Sequence, residues 1–126
     1  MVVYQKRSRR KITGGSYKIA EKKRLSNIGE APTYTKIGER KIKLKREKGG
    51  KLKNTLLSVN KINVTDPKTK KTQQTEILNI MESPASRHFI RRGIITKGSI
   101  LETKLGKVRV TSRPGQEATI SGVLIS

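Results

Sequence analysis

Positive charge is spread so unevenly along this chain that only one part of it can close on itself. Residues 1–53 carry 18 Lys and Arg against four Asp and Glu, whereas residues 54–126 carry 12 against five. The whole chain of 126 residues holds 30 cations and nine acids, a formal charge of +21, or one uncompensated positive charge every six residues. Repulsion of that size opposes compaction and bears on partners more than on fold. The partner it asks for is a polyanion: nucleic acid, an anionic membrane face or an acidic protein.

Hydropathy runs the opposite way. The first segment has no long amphipathic pattern and is punctuated by Gly14-Gly15, Gly29, Gly38 and Gly49-Gly50. Such a stretch buries too little surface to offset its ordering entropy. It reads as a long, extended basic arm over residues 1–53, with one short helix near Tyr17–Leu25. A strand is expected at Lys41–Lys45, where Ile42 and Leu44 alternate with Lys41, Lys43 and Lys45. The lysines would form one face, and the apolar pair would dock on the following domain.

Residues 54–126 read as a small, mainly β domain. Leu57, Val59, Ile62 and Val64 lie in one run whose phase changes after Val59, which suggests a bulge. Asp66-Pro67-Lys68-Thr69-Lys70 is a turn, because Pro presets φ and Asp bonds its own backbone. A strand over Thr72–Met81 completes a hairpin. Ser83-Pro84 then suggests an N-cap followed by Pro at the first helical position, with a helix over Ala85–Arg92 stopped by Gly93. Strands at Ile94–Thr96, Ile100–Thr103, Val108–Ser112 and Ala118–Ile125 follow, separated by Gly- and Pro-containing turns. The expected fold is a small β-barrel with one short helix. Closure would remove the exposed edges that so small a domain tolerates poorly.

Several classes drop out. No run of about 18 apolar residues exists to span a bilayer, and the basic N-terminus lacks the apolar stretch of a secretory signal. With no cysteine there are no disulfides and no thiolate metal sites. The glycine pairs belong to no phosphate loop of a nucleotide-hydrolysing enzyme. The acids are scattered, and His88 has no second His at ligand spacing, so nothing suggests an enzyme, a metal or another cofactor.

Three basic runs carry the functional reading. Lys6, Arg7, Arg9, Arg10 and Lys11 precede Thr13, Gly14 and Gly15, whose backbone N–H groups can approach phosphates closely. Lys18, Lys22, Lys23 and Arg24 continue the series. The third run holds Arg40, Lys41, Lys43, Lys45, Arg46, Lys48, Lys51 and Lys53. Arg supplies a planar fork that bonds phosphate oxygens in pairs. On the expected helix Arg87 and Arg91 share a face, flanked by His88 and Arg92. Phe89 reads as core. A membrane binder would need a wide apolar helical face. A DNA-architectural or chromatin protein, the main rival, would need a recognition helix, a dimer interface or apolar wedges.

Lys11-Ile12-Thr13-Gly14-Gly15 resembles the opening of the eighth small-subunit ribosomal protein of the archaeal–eukaryotic set. So do Arg91-Arg92-Gly93-Ile94-Ile95-Thr96-Lys97-Gly98 and Val108-Arg109-Val110-Thr111-Ser112-Arg113-Pro114-Gly115-Gln116. The length is similar to that of the short archaeal form. The resemblance implies a cytoplasmic, ribosome-bound protein that contacts small-subunit ribosomal RNA and neighbouring ribosomal proteins. It implies no membrane, no small-molecule substrate, no cofactor and no homo-oligomer. It assigns Lys11, Thr13, Gly14 and Gly15 to the arm's RNA contact, and Arg91, Arg92 and Lys97 to a basic patch near the helix. Arg113 would lie on a charged turn.

Overall fold

The computed structural model describes residues 3–18, 21–22 and 24–125, and of Lys48 only the backbone. The chain divides into two compact units, Met1–Pro32 and Thr33–Ser126. The first unit is held by short pairings. β1 (Val3–Tyr4) runs antiparallel to β2 (Ile28–Gly29). A tight hairpin lies within it, where Arg10 bridges Ser16 and the Tyr17 N–H donates to the Arg9 carbonyl at 2.8 Å. That bond commits Tyr17 to pairing across the hairpin. Among the described residues of the expected Tyr17–Leu25 helix none is α-helical. Only a 3₁₀ turn at Leu25–Asn27 is present there, and Ile19, Ala20 and Lys23 lie outside the described residues.

In the second unit β3 (Lys36–Ile37), β4 (Lys41–Arg46) and β5 (Leu52–Val59) form a sheet in the order β3-β5-β4. The chain then builds β6 (Lys61–Thr65), β7 (Thr72–Glu82), a short helix α1 (Arg87–Arg91), β8 (Ile100–Thr103), β9 (Gly106–Val110) and β10 (Ser121–Leu124). The five strands from β6 onward, helix aside, close into a barrel. Successive neighbours are antiparallel, and β10 meets β6 in parallel, Ser121 opposite Asn63 and Val123 opposite Thr65. The parallel seam is a matter of parity. In an up-and-down run of five strands the first and last point the same way, so closing the ring forces one parallel pair.

Alternation places Ile62 and Val64 of β6 and Val108 and Val110 of β9 in the core, and register shifts in β7 let both Ile77 and Ile80 be buried. Leu101 and Ile120 join them, as do Leu56 and Val59 of β5 and Ile95. β10 passes close to this core because residue 122 is glycine. A Cβ there would lie 2.5 Å from Val108 Cγ1 and 2.8 Å from the Arg109 carbonyl oxygen.

The structure amends several local expectations. The run from Leu57 to Val64 is two strands in different sheets, parted at Asn60, whose carbonyl accepts from the Ile77 N–H. The cap of α1 is Ser86, whose Oγ accepts from the His88 N–H, so Ser83-Pro84 precedes the helix and does not start it. Ile94–Thr96 is no strand: Ile94 makes one bridge to Lys36, and the Ile95 N–H donates to Thr35. The last strand starts at Ser121 and not at Ala118, since residues after Arg113 turn back on its carbonyl. Arg92 ends the helix, followed by Gly93 at φ +63°.

Residues 33–53 lie in the same compact unit as the barrel strands. Thr35 explains this. It is buried, its hydroxyl donates to the Leu56 carbonyl at 2.7 Å, and its carbonyl accepts from Ile95 at 2.8 Å.

Candidate nucleic-acid interface

The first cluster belongs to the N-terminal unit. Hairpin pairing from Arg9 to Tyr17, with Gly14 at φ +86°, sets Ile12 and Thr13 at an exposed tip. Gly14 makes the turn possible because a Cβ is strained in that left-handed conformation. Below the tip, the Arg7 guanidinium lies 4.0 Å from the centre of the Tyr17 ring and the Lys11 ammonium 5.3 Å from it. Arg9 lies 5.9 Å from the Tyr4 ring. Aromatic faces thus hold three of the cations without neutralising them. A cleft of about 240 Å³ gathers Lys6, Arg7, Arg9, Lys18, Tyr4 and Tyr17. Lys6 also meets Glu21 at 2.6 Å. That hydrogen bond raises the Lys6 pKa and holds the Glu21 carboxyl below its ordinary range. Arg10 is exposed on the same hairpin, and Lys22 and Arg24 are exposed further along, while Lys23 lies outside the described residues.

The second cluster is the β4–β5 ribbon. Its register sets Lys43 opposite Thr55, Lys45 opposite Lys53, and Arg46 opposite Leu52. Lys43, Lys45 and Lys53 therefore share one face, with Lys41 beyond a register shift at the start of β4. Like charges directly across a ladder repel, and Glu47, 3.6 Å from Lys53, offsets them in part. The turn carries Gly49 and Gly50, both at φ +76°, and Lys51 is exposed beside them. The expectation that Ile42 and Leu44 dock on the barrel fails. Leu44 and Leu52 are 66% and 69% exposed, and Ile42 is 37% exposed although Leu56 opposite it is fully buried. The cause is position along the ribbon: β5 turns Leu56 and Val59 into the core, whereas the end that carries Leu44 and Leu52 runs on toward the Gly49-Gly50 turn. Arg40, just before the ribbon, opens onto a groove with Asn60, Lys61, Asn63 and Gln74.

The third group surrounds α1. Arg87, His88 and Arg91 are exposed. Arg92 lies 5.5 Å from the centre of the Tyr34 ring, and Phe89 meets the same ring edge-on at 5.8 Å. Phe89 is half-buried and packs on Tyr34, outside the barrel core. Lys97 is exposed in the turn before β8, and Arg113 is exposed while Pro114 beside it is buried, so only part of that turn is a solvent-facing tip.

Sequence reasoning missed Arg109. The pattern Val108-Arg109-Val110 shows an outward cation on a strand, but not that it lines a cleft together with Arg87. It also passed over Lys61 and Lys104 near Glu76. Lys104 hydrogen-bonds Glu76 at 2.5 Å and holds that carboxyl below its ordinary range. Carboxylates relieve few of the cations, because nine negative charges can offset at most nine of 30 positive ones. Among the described residues no cluster of His, Asp or Glu is suited to a metal ion, and no helix is long and apolar enough to cross a membrane.

These features define a class first: a small closed β-barrel whose cations are carried on exposed extensions rather than balanced internally. The ribosomal protein S8e family profile matches residues 4–125. Small ribosomal subunit protein eS8 of Nanoarchaeum equitans is 48% identical over 122 residues, 97% of this chain and 96% of that protein. The eS8 proteins of Methanococcus aeolicus and Sulfolobus acidocaldarius are 46% and 44% identical, each covering at least 99% of this chain and at least 98% of their own length. The chain belongs to the ribosomal protein S8e family, as the motifs at residues 11–15, 91–98 and 108–116 suggest.

Proposed function

We propose that the chain is a constituent of the small ribosomal subunit, located in cytoplasmic ribosomes, where it binds folded ribosomal RNA and touches neighbouring ribosomal proteins. The observation that carries this reading is family membership across nearly the whole chain, joined to cations held on exposed hairpins. The relatives' names place those proteins in the small subunit.

The chemistry is phosphate neutralisation without catalysis. Double-helical RNA offers phosphates, 2′-hydroxyls and shape rather than a readable major groove. A lysine row on the β4–β5 ribbon presents a charge every second residue, about 7 Å apart along the strand. The hairpin at Arg9–Tyr17 supplies guanidinium forks already ordered against tyrosine faces, which reduces the entropy lost on binding. The barrel positions the ribbon and the Arg87–Arg92 helix.

The test is a salt titration of full-length protein on refolded archaeal small-subunit rRNA, with duplex DNA as competitor. If about ten cations meet phosphates, log K falls against log salt with a slope of roughly −7 to −9. A slope near −2, or equal preference for duplex DNA, overturns the reading. Sedimentation of the protein with small subunits in lysate, and its release only by stripping salt, is the matching expectation in the cell.

A further inference from the structure

One cleft on the barrel is built unlike the basic clusters. It lies where the end of β7 and the following turn meet α1, β8 and β9, and has a volume of about 590 Å³. Small-molecule-sized sites run from about 300 to 1,000 Å³. Pro84, Ile90 and Ile100 give it an apolar wall. Arg87 from the helix and Arg109 from β9 reach it from two separate elements, and Glu82 lies on its rim. Ser83, also lining it, has a buried hydroxyl with no hydrogen-bond partner among the described residues. A buried polar group is normally paired, so an orphan beside a cleft asks for a partner from outside.

We infer that this cleft receives one splayed-out nucleotide of the ribosomal RNA. The inference rests on the RNA-binding reading above and names a subsite within it. An unstacked base presents an apolar face, polar edges and an attached phosphate, and the cleft answers each. The apolar wall takes the base face. A guanidinium can stack on the other face or fork onto the phosphate. Glu82 offers an acceptor to an amino group on the base edge. Serine's hydroxyl turns between staggered wells about χ1, which lets Ser83 meet the ligand. Continuous duplex RNA would not use this cleft, because its bases are stacked and its phosphates would meet Glu82 as well as the arginines.

The experiment compares wild-type full-length protein with Arg109→Ala, Ile90→Trp and Ser83→Ala on refolded small-subunit rRNA, reading affinity and per-nucleotide chemical reactivity. Wild type should protect one nucleotide that is reactive in free RNA. Arg109→Ala and the cleft-filling Ile90→Trp should abolish that protection, lower affinity about 5- to 20-fold, and leave the rest of the footprint in place. Arg109 is exposed and Ile90 lies at the surface outside the core cluster, so both variants should fold, which their denaturation midpoints check. Ser83→Ala gives the sharpest sign. It should raise the denaturation midpoint of the free protein, by removing an unpaired buried hydroxyl, while weakening RNA binding about fivefold. A purely structural serine would move both measurements together. If the variants bind as wild type with an unchanged footprint, the cleft proposal falls and the RNA reading stands. If their defect arises only when other ribosomal proteins are present, the occupant is a protein segment and the proposal is likewise overturned. If wild type itself does not bind the rRNA, the broader reading fails first.

Discussion

The barrel and the β4–β5 ribbon are written with the same alternation and come to opposite ends. In β9, Val108 and Val110 point inward while Arg109 faces out, and the valines are buried. In β4, Ile42 and Leu44 alternate with lysines just as regularly, yet every residue of the strand is exposed. Period-two patterning divides a strand into two faces; it does not bury either. Burial needs a second surface, which the barrel supplies to itself by closing β10 onto β6. The ribbon has such cover only where β5 sends Leu56 and Val59 into the core; toward its turn, Leu44 and Leu52 and the lysine face remain open to another molecule.

The most severe way to break the comparison is Gly122→Ala. A methyl group there collides with Val108 and with the Arg109 carbonyl, and the carbonyl cannot retreat without loosening the β9–β10 ladder. The expected cost is about 3 kcal/mol or more, read by chemical denaturation. A loss below about 1 kcal/mol would mean that the barrel yields easily there. Next comes a matched pair of leucines. Leu101→Ala empties a fully buried site and should cost about 3 kcal/mol, whereas Leu44→Ala on the ribbon should stay within about 0.5 kcal/mol. Similar losses at both positions would show that the ribbon is packed after all.

Charge sharpens the contrast from the other side. The double variant Lys43→Glu and Lys45→Glu should change stability by no more than about 0.5 kcal/mol but weaken rRNA binding strongly. With two fewer phosphates neutralised, the salt slope should become shallower by roughly 1.4 to 1.8. A marked loss of stability with an unchanged slope would assign these lysines to the fold rather than to the partner.

The same contrast explains what could be read from the sequence. The strands at Thr72–Glu82 and Ile100–Thr103 and the turn at Asp66 depend on neighbours in sequence and are legible to the residue or nearly so, whereas the start of β6 is not. The cap of α1 slipped from Ser83 to Ser86, because both serines are plausible caps and only the hydrogen bond to His88 chooses. Ile94 and Ile95 look like a strand, but their partners are Lys36 and Thr35, some sixty residues earlier. That pairing ties Thr35 and Lys36 to the segment before β8. At the candidate interface, the basic runs were plain from composition. The stacking of Arg7 on Tyr17, the placing of Lys45 opposite Lys53 across the ladder, and the lining of one cleft by Arg87 and Arg109 needed the fold.

The smallest expected effect is a titration confined to one turn. The Asp66 carboxylate accepts from the Lys68 N–H and the Thr69 hydroxyl, both at 2.9 Å. The Lys68 N–H is the main cause of an Asp66 pKa below the ordinary aspartate range. A lowered folded pKa fixes the sign. The stabilisation is complete above the unfolded value of about 3.9 and is lost as pH falls through the folded one. The Lys68 amide shift, followed by NMR, should therefore titrate below the free aspartate value, and Asp66→Asn should abolish the titration. The buried polar side chains of the body, Thr35, Ser99, Thr103 and Ser112, carry no titratable group. Their amides should stay flat over the same window, so acid opens the turn while the barrel's hydrogen bonds hold. If the Ser99 or Thr103 amide followed Lys68 instead, the turn and the barrel would be one cooperative unit.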